Sequence, residues 1–151
     1  PPSPGEEGDV TTARDMLLLA QQCIKHPRIL EWTHCKQFQM RPEQNYFNNT
    51  NKLLWRMEDC DGLKTGYIRL SGYCITATAE RNGHRLIAVV MGERNRYQRF
   101  NRAQALLEEG FAALQPPEND TTGVATDGAV ASAATPQAAV SCEPSPHLAT
   151  N

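Results

Sequence analysis

The chain has 151 residues, 40% of them apolar, with 15 Lys and Arg against 17 Asp and Glu and a formal net charge of −2. That is enough apolar material for one modest core. The basic residues are too few for a nucleic-acid surface, and no run of about 18 apolar residues is present to span a bilayer. The charge is uneven: residues 115–151 hold Glu118, Asp120, Asp127 and Glu143 and no Lys or Arg, leaving 1–114 with 15 basic and 13 acidic groups. The five cysteines (Cys23, Cys35, Cys60, Cys74, Cys142) form no C-x-x-C pair and are odd in number, so a zinc site is not expected and the redox compartment stays open; no other metal and no cofactor is expected. The sequence opens on Pro1, so residues before it are expected to be missing, whether by processing or because it is part of a longer chain.

Pro1 to Val10, with three prolines and two glycines, reads as a loop. Thr12-Ala13-Arg14-Asp15 has the form of a helix start, with Thr12 accepting from the backbone N–H three residues on. Met16, Leu19, Ala20, Cys23 and Ile24 follow at helical spacing, which predicts a helix of about 14 residues ended by Pro27. Core packing is the expected use of that stripe. In residues 28–50, Ile29, Leu30 and Trp32 read as buried and Cys35 to Met40 as a short strand. Asn45 to Lys52 is asparagine-rich and reads as a loop. His26 and His34 have no ligand partners at metal spacing and read as surface or packing residues.

Leu53-Leu54-Trp55 is an apolar anchor ahead of Asp61-Gly62-Leu63-Lys64-Thr65-Gly66-Tyr67, the stretch around which the chain is organised. In an extended segment Lys64 and Gly66 share one face and Thr65 takes the other. Gly66, without a Cβ, lets a ligand backbone approach the strand closely. Such an edge strand suits a peptide held by its main chain, with a cation and a hydroxyl at its anionic end. Taken alone, Lys64 on an edge strand reads first as a solvated lysine that blocks edge pairing. Tyr73 to Glu80, Arg81-Asn82-Gly83-His84 and Arg85 to Met91 then read as a hairpin turning on Asn-Gly. With the Lys64 segment this makes three antiparallel strands. Gly92 is expected to end the sheet. Arg94 to Leu114 reads as a second helix whose Phe100, Ala103, Leu107, Phe111 and Leu114 share one face. From Gln115 the Ala, Thr, Ser, Pro and Gly composition predicts a disordered tail.

The succession from Thr12-Ala13-Arg14-Asp15-Met16 through Leu-Leu-Trp and Asp-Gly-Leu-Lys-Thr-Gly to Arg-Leu-Ile-Ala-Val-Val-Met-Gly resembles the D-alanyl-D-alanine carboxypeptidases. These are the low-molecular-mass penicillin-binding serine peptidases, and the resemblance runs from about Thr12 to Phe111. It implies an α+β fold, an antiparallel sheet with helices packed on it of the β-lactamase/transpeptidase type. It further implies acyl transfer by a serine from a peptidoglycan stem peptide ending in D-Ala-D-Ala, with β-lactam antibiotics acylating the same serine. The family's three motifs are Ser-x-x-Lys, Ser-x-Asn and Lys-Thr-Gly. None of Ser3, Ser71, Ser132, Ser141 and Ser145 begins either of the first two. Residues 1–114 are therefore expected to be the C-terminal part of a catalytic domain, partnered by a missing N-terminal part and inactive alone, with 115–151 as the tail.

By position, the resemblance gives Lys64 a charge for the substrate carboxylate, Thr65 a hydroxyl for it, and Gly66 room for the peptide along the strand. The Tyr67 backbone N–H becomes one of two oxyanion donors, and Arg99 sits where the family has an arginine near the carboxylate subsite. Thr50 stands where the family often carries arginine, and Ile68-Arg69-Leu70 replaces small polar residues, which bears on substrate preference. The implied location is the extracytoplasmic or periplasmic face of a bacterial envelope. A non-catalytic protein that binds peptidoglycan peptides, or a β-lactamase relative, is the alternative.

Overall fold

The structure, a computed structural model, describes residues 10–41 and 45–114. The expected loop before Val10 and the expected tail from residue 115 lie outside them. Three helices, a short two-stranded ribbon and a three-stranded antiparallel sheet make up the fold. Helix α1, Ala13–Cys23, begins with a capping box: Thr12 accepts from Asp15 N–H at 3.2 Å, and the Asp15 carboxylate accepts from Thr12 N–H at 3.1 Å, satisfying donors the helix cannot. It has 11 residues, not the 14 expected. Of its expected stripe, Ala20 is buried, Met16, Cys23 and Ile24 are half-buried, and Leu19 is exposed.

Pro27 both stops the first helical run and starts the next. Helix α2, Pro27–His34, carries it in its first turn, where the missing N–H is no loss. Trp32, expected in the core, is 65% exposed, and Ile29 and Leu30 are half-buried. The expected short strand is β1, Gln37–Phe38, and it pairs with β2, Phe47–Asn48, inside the stretch expected to be a loop.

The main sheet runs in the order β3 (Cys60–Ile68), β4 (Gly72–Arg81), β5 (His84–Glu93). The β4–β5 turn is Asn82-Gly83, with φ of +52° and +76°, the geometry of a two-residue hairpin loop that matches strand twist. Gly92, with φ +78°, lies within β5 and does not end it. There Met91 and Gly92 together oppose Cys74, a bulge between the Tyr73–Glu93 and Ile75–Val90 pairs.

Helix α3, Arg96–Leu114, lies across β4 and β5. Its Phe100, Ala103, Leu107 and Phe111 meet Ile75, Ala77, Ala79, Ala88 and Val90, and the small strand residues let the helix come close. Leu114, expected on this face, is 47% exposed at the helix end. Leu53 and Leu54 of a short 3-10 helix, Lys52–Trp55, close one end of the core with Met57 and Cys60, while Trp55 stays partly exposed. Cutting Leu107 back to alanine would cost about 2–5 kcal/mol in such a core. Helix α1 packs against β5 and β4, where Met16 and the sheet residues Lys64, Thr76 and Val89 line one cavity. Helix α2 packs against β3. Cys60 and Cys74 are both free thiols, so no bridge spans the β3–β4 pair.

Candidate active site

Strand β3 is the edge of its sheet among the described residues, and three asparagine-loop residues set its position. Asn49 donates through Nδ2 to the carbonyls of Thr33 and Cys35 at 3.1 and 2.9 Å, anchoring the loop to the end of α2. Asn51, wholly buried, donates to the Gly62 carbonyl at 3.0 Å and accepts from Leu53 N–H at 3.1 Å, capping the 3-10 helix. Thr50 between them places its hydroxyl 2.7 Å from that of Thr65. On the other side, Thr33 Oγ1 donates to the Asp61 carbonyl at 2.9 Å. The asparagines that mark a loop in the sequence thus form a clamp that fixes the height of β3 against α2 and the 3-10 helix. Short amide side chains suit this because they carry both donor and acceptor close to the backbone.

The register places Lys64 opposite Thr76, Thr65 opposite Ile75 and Gly66 opposite Cys74. Cross-strand partners share a face. Lys64 is exposed and donates to the Thr65 carbonyl at 2.7 Å. Thr65 turns inward, 7% exposed, with its hydroxyl on Thr50. Two facing hydroxyls hold two hydrogens and use one between them, so one O–H stays free to donate. Lys64, Gly66 and Cys74 line a cavity of about 270 Å³ together with Met16, Ile68 and Met91. Ile68 is thus beside the strand's open space, as its bulk in place of a small polar residue suggests.

Gly66 is not required by the protein's own packing. A Cβ there would meet nothing nearer than the Cys74 Cβ at 4.0 Å, an ordinary contact, whereas a Cβ on Gly62 would meet Thr33 Oγ1 at 2.6 Å. The reason for glycine at 62 is internal. At 66 the space is left open to the cavity. Tyr67 follows with its ring exposed and stacked on Tyr73, centroids 4.2 Å apart.

Arg99 reaches the strand pair from α3. It is 7% exposed, donates through one terminal nitrogen to the carbonyls of Gly66 at 3.0 Å and Cys74 at 3.3 Å, and lies over the Tyr73 and Phe100 rings. Burial lowers its pKa from the ordinary arginine value, and Arg96 nearby adds to the effect. Its Nε is buried with no hydrogen-bond partner. All five residues singled out in the sequence therefore lie at one end of the β3–β4 pair. What sequence reasoning missed is the second cavity there, about 330 Å³, lined by Thr50, Lys52, Arg56, Arg96, Tyr97 and Arg99 among others. The basic stretch around Arg96 was visible in sequence but reads as a solvated face, and Lys52 and Arg56 lie some forty residues away.

The opposite end of the sheet is held by ion pairs. Arg85 bonds Asp61 at 2.7 Å and also Glu80; Arg81 bonds Asp59 at 2.7 Å and Glu108 at 2.9 Å. Burial raises the Asp61 carboxyl above its ordinary value despite Arg85, and one Asp61 oxygen has no partner. Burial likewise pushes the Cys60 thiol up to about 11.

A family model described as D-alanyl-D-alanine carboxypeptidase matches residues 5–95. The chain is 31% identical over 113 residues to D-alanyl-D-alanine carboxypeptidase DacF of Bacillus subtilis, covering 73% of this chain and 29% of that one. It is 37% identical over 121 residues to D-alanyl-D-alanine carboxypeptidase DacC of Escherichia coli, covering 78% and 30%. The chain thus spans under a third of the length of these curated relatives. Among solved structures, penicillin-binding protein D2 of Listeria monocytogenes in a cefotaxime-bound form matches with a TM-score of 0.57 and 35% identity, over 64% of this chain and 38% of that one. The Streptomyces K15 DD-transpeptidase matches with a TM-score of 0.65 at 24% identity over 68% and 42%, a likeness of fold.

Proposed function

The chain belongs to the D-alanyl-D-alanine carboxypeptidase family, and on that premise we propose that it supplies the substrate-holding strand of a serine acyl-transfer site. The substrate is a peptidoglycan stem peptide ending in D-Ala-D-Ala. The peptide lies along the free edge of β3, its terminal carboxylate taking the spare hydroxyl hydrogen of the Thr50–Thr65 pair and the charge of Lys64. Arg99 serves the same carboxylate from below while holding the Gly66 and Cys74 carbonyls in place. Gly66 leaves room for the peptide backbone, and the Tyr67 N–H is one donor to the oxyanion. Removing one such donor typically costs about 3–4 kcal/mol of transition-state stabilisation.

No Ser-x-x-Lys occurs in the 151 residues, so in this reading the nucleophile comes from polypeptide beyond them. Its serine oxygen adds to the carbonyl between the two D-Ala residues. The terminal D-Ala leaves with a proton, and water cleaves the acyl ester. The Listeria relative binds cefotaxime and ampicillin, and β-lactams are the expected covalent inhibitors of this site as well. Peptidoglycan lies outside the cytoplasm, which puts the site at the extracytoplasmic face of the envelope. Among the described residues no helix is long and apolar enough to cross a membrane.

The observation that supports this reading most is Gly66: an open position on an edge strand, unexplained by packing, two residues from Lys64 and with its own carbonyl held by Arg99. Titrating a D-Ala-D-Ala-terminated peptide into the protein, followed by amide NMR shifts, tests it. Shifts should centre on residues 64–67 and 99 and vanish in Lys64→Met and Thr65→Val; shifts elsewhere, or unchanged by both variants, refute it. The same open strand edge at Gly66 also suits one second reading, a peptide-binding protein without catalysis. It predicts the same shifts and no β-lactam acylation of the natural polypeptide that contains this chain.

A further inference from the structure

The cavity between the asparagine clamp and α3 holds more positive charge than one carboxylate needs. Lys52, Arg56, Arg96 and Arg99 all line it, and none of its lining residues carries a carboxylate. Each of the four cations bonds a neutral acceptor. Lys52 donates to the Asn49 carbonyl, Arg56 to Asn101 Oδ1, Arg96 to the Tyr97 hydroxyl, and Arg99 to two backbone carbonyls. The ion pairs among the described residues belong to Arg81 and Arg85, so none of these four is neutralised there. Arg99 is more than nine-tenths buried, and its Nε has no partner. Like charges around one concavity repel, and a desolvated guanidinium is stabilised by an anion. Three of the charges remain over if a single carboxylate binds.

We propose that this cavity is a dianion subsite, binding a ligand with two carboxylates a few ångströms apart. The first carboxylate sits at the Thr50–Thr65 hydroxyls and Arg99; the second reaches Arg56 and Arg96. Two sources fit this chemistry: a bound peptide whose last residue carries a side-chain carboxylate, or a free dicarboxylate. The peptide source rests on the reading of β3 given above; the free one does not.

Succinate and acetate are the probes, titrated into the protein and into Arg56→Gln and Arg96→Gln, both side chains being exposed and replaceable without opening the core. Succinate should bind at least roughly tenfold more tightly than acetate. Each substitution should weaken succinate by about tenfold, the loss of one charge-assisted bond, and leave acetate within about twofold. Succinate binding no tighter than acetate, or a preference unchanged in both variants, overturns the proposal. Peptides ending in D-Ala and in D-Glu separate the sources: an Arg96-dependent preference for D-Glu assigns the second carboxylate to the peptide, and succinate preference without it assigns a free dianion. If succinate binds as stated and no peptide binds, the β3 reading fails and the dianion site stands. If peptide binds and succinate does not, the dianion site alone fails.

Discussion

Replacing Gly66 by alanine separates the two reasons a strand can carry glycine. A Cβ at 66 would have 4.0 Å to its nearest neighbour, the Cys74 Cβ, and the backbone there is not in the left-handed region. The fold should therefore tolerate it, and reduced freedom of the unfolded chain should add about 0.4–1 kcal/mol of stability. The control is Gly62→Ala, whose Cβ would fall 2.6 Å from Thr33 Oγ1. That hydroxyl must move, losing its bond to the Asp61 carbonyl and forcing α2 off β3, a cost of about 1–3 kcal/mol. In a domain of this size each 1 kcal/mol shifts the melting temperature by about 4–8 °C. Thermal unfolding followed by circular dichroism should show Gly66→Ala at or slightly above the unsubstituted protein and Gly62→Ala several degrees below. Peptide affinity should run the other way, with Gly66→Ala losing roughly tenfold or more. A Gly66→Ala protein that melts as low as Gly62→Ala, or that binds peptide undiminished, refutes the assignment of the open space to substrate.

Three further outcomes follow from the same geometry. Arg99→Leu strips a charged donor from the Gly66 and Cys74 carbonyls and the guanidinium from the Phe100 ring; urea unfolding should show a loss of about 1.5–3 kcal/mol, the worth of a hydrogen bond to a charged group, and Arg99→Lys should recover only part of it. Because burial raises the Asp61 carboxyl above 3.8 in the folded protein, the folded state keeps a proton that the unfolded state has released. The contribution of that proton to stability is present in full below about pH 3.8 and is lost as pH rises above it, and Asp61→Asn, which cannot ionise, should lack that pH-dependent part in urea titrations compared with the unsubstituted protein. Cys60, buried and with its thiol pushed up to about 11, should stay unalkylated by iodoacetamide at about pH 8 until the protein unfolds, as mass spectrometry of the digested protein will show.

Local signals were legible in the sequence wherever one residue type decides the backbone. Asn82-Gly83 predicts its hairpin because positive φ at both positions is what those residues accept. Thr12 and Asp15 predict a helix start because their side chains reach the free N–H groups three residues away. The Phe100–Phe111 face of α3 is readable because it meets a sheet of small side chains squarely. Reading failed where the outcome depends on what lies across the molecule. Pro27 reads as a stop, yet the same residue is well placed at the first turn of a new helix. Trp32 reads as core by its size and is exposed, because α2 turns Thr33 toward β3. The Asn45–Lys52 stretch reads as a loop, yet it holds β2 and the clamp, since an asparagine's partners are set by tertiary neighbours and not by spacing. At the site, Lys64, Thr65 and Gly66 were legible as alternating faces of one strand. The Thr50–Thr65 hydroxyl pair, the grip of Arg99 on two carbonyls and the four-cation cavity join segments far apart in the chain, and no periodicity encodes them.

The central claim, that β3 is the substrate-holding strand of a serine acyl-transfer site completed by residues beyond this chain, is tested most directly with a fluorescent penicillin. It would be applied to the 151-residue chain and to the natural polypeptide that contains it, each with and without Thr65→Val. The account predicts a covalent label on the longer polypeptide alone, mapping by mass spectrometry to a serine outside these residues and much slowed by Thr65→Val. A label on Ser71 or any other serine of this chain, labelling indifferent to Thr65, or no label on the longer polypeptide would contradict it.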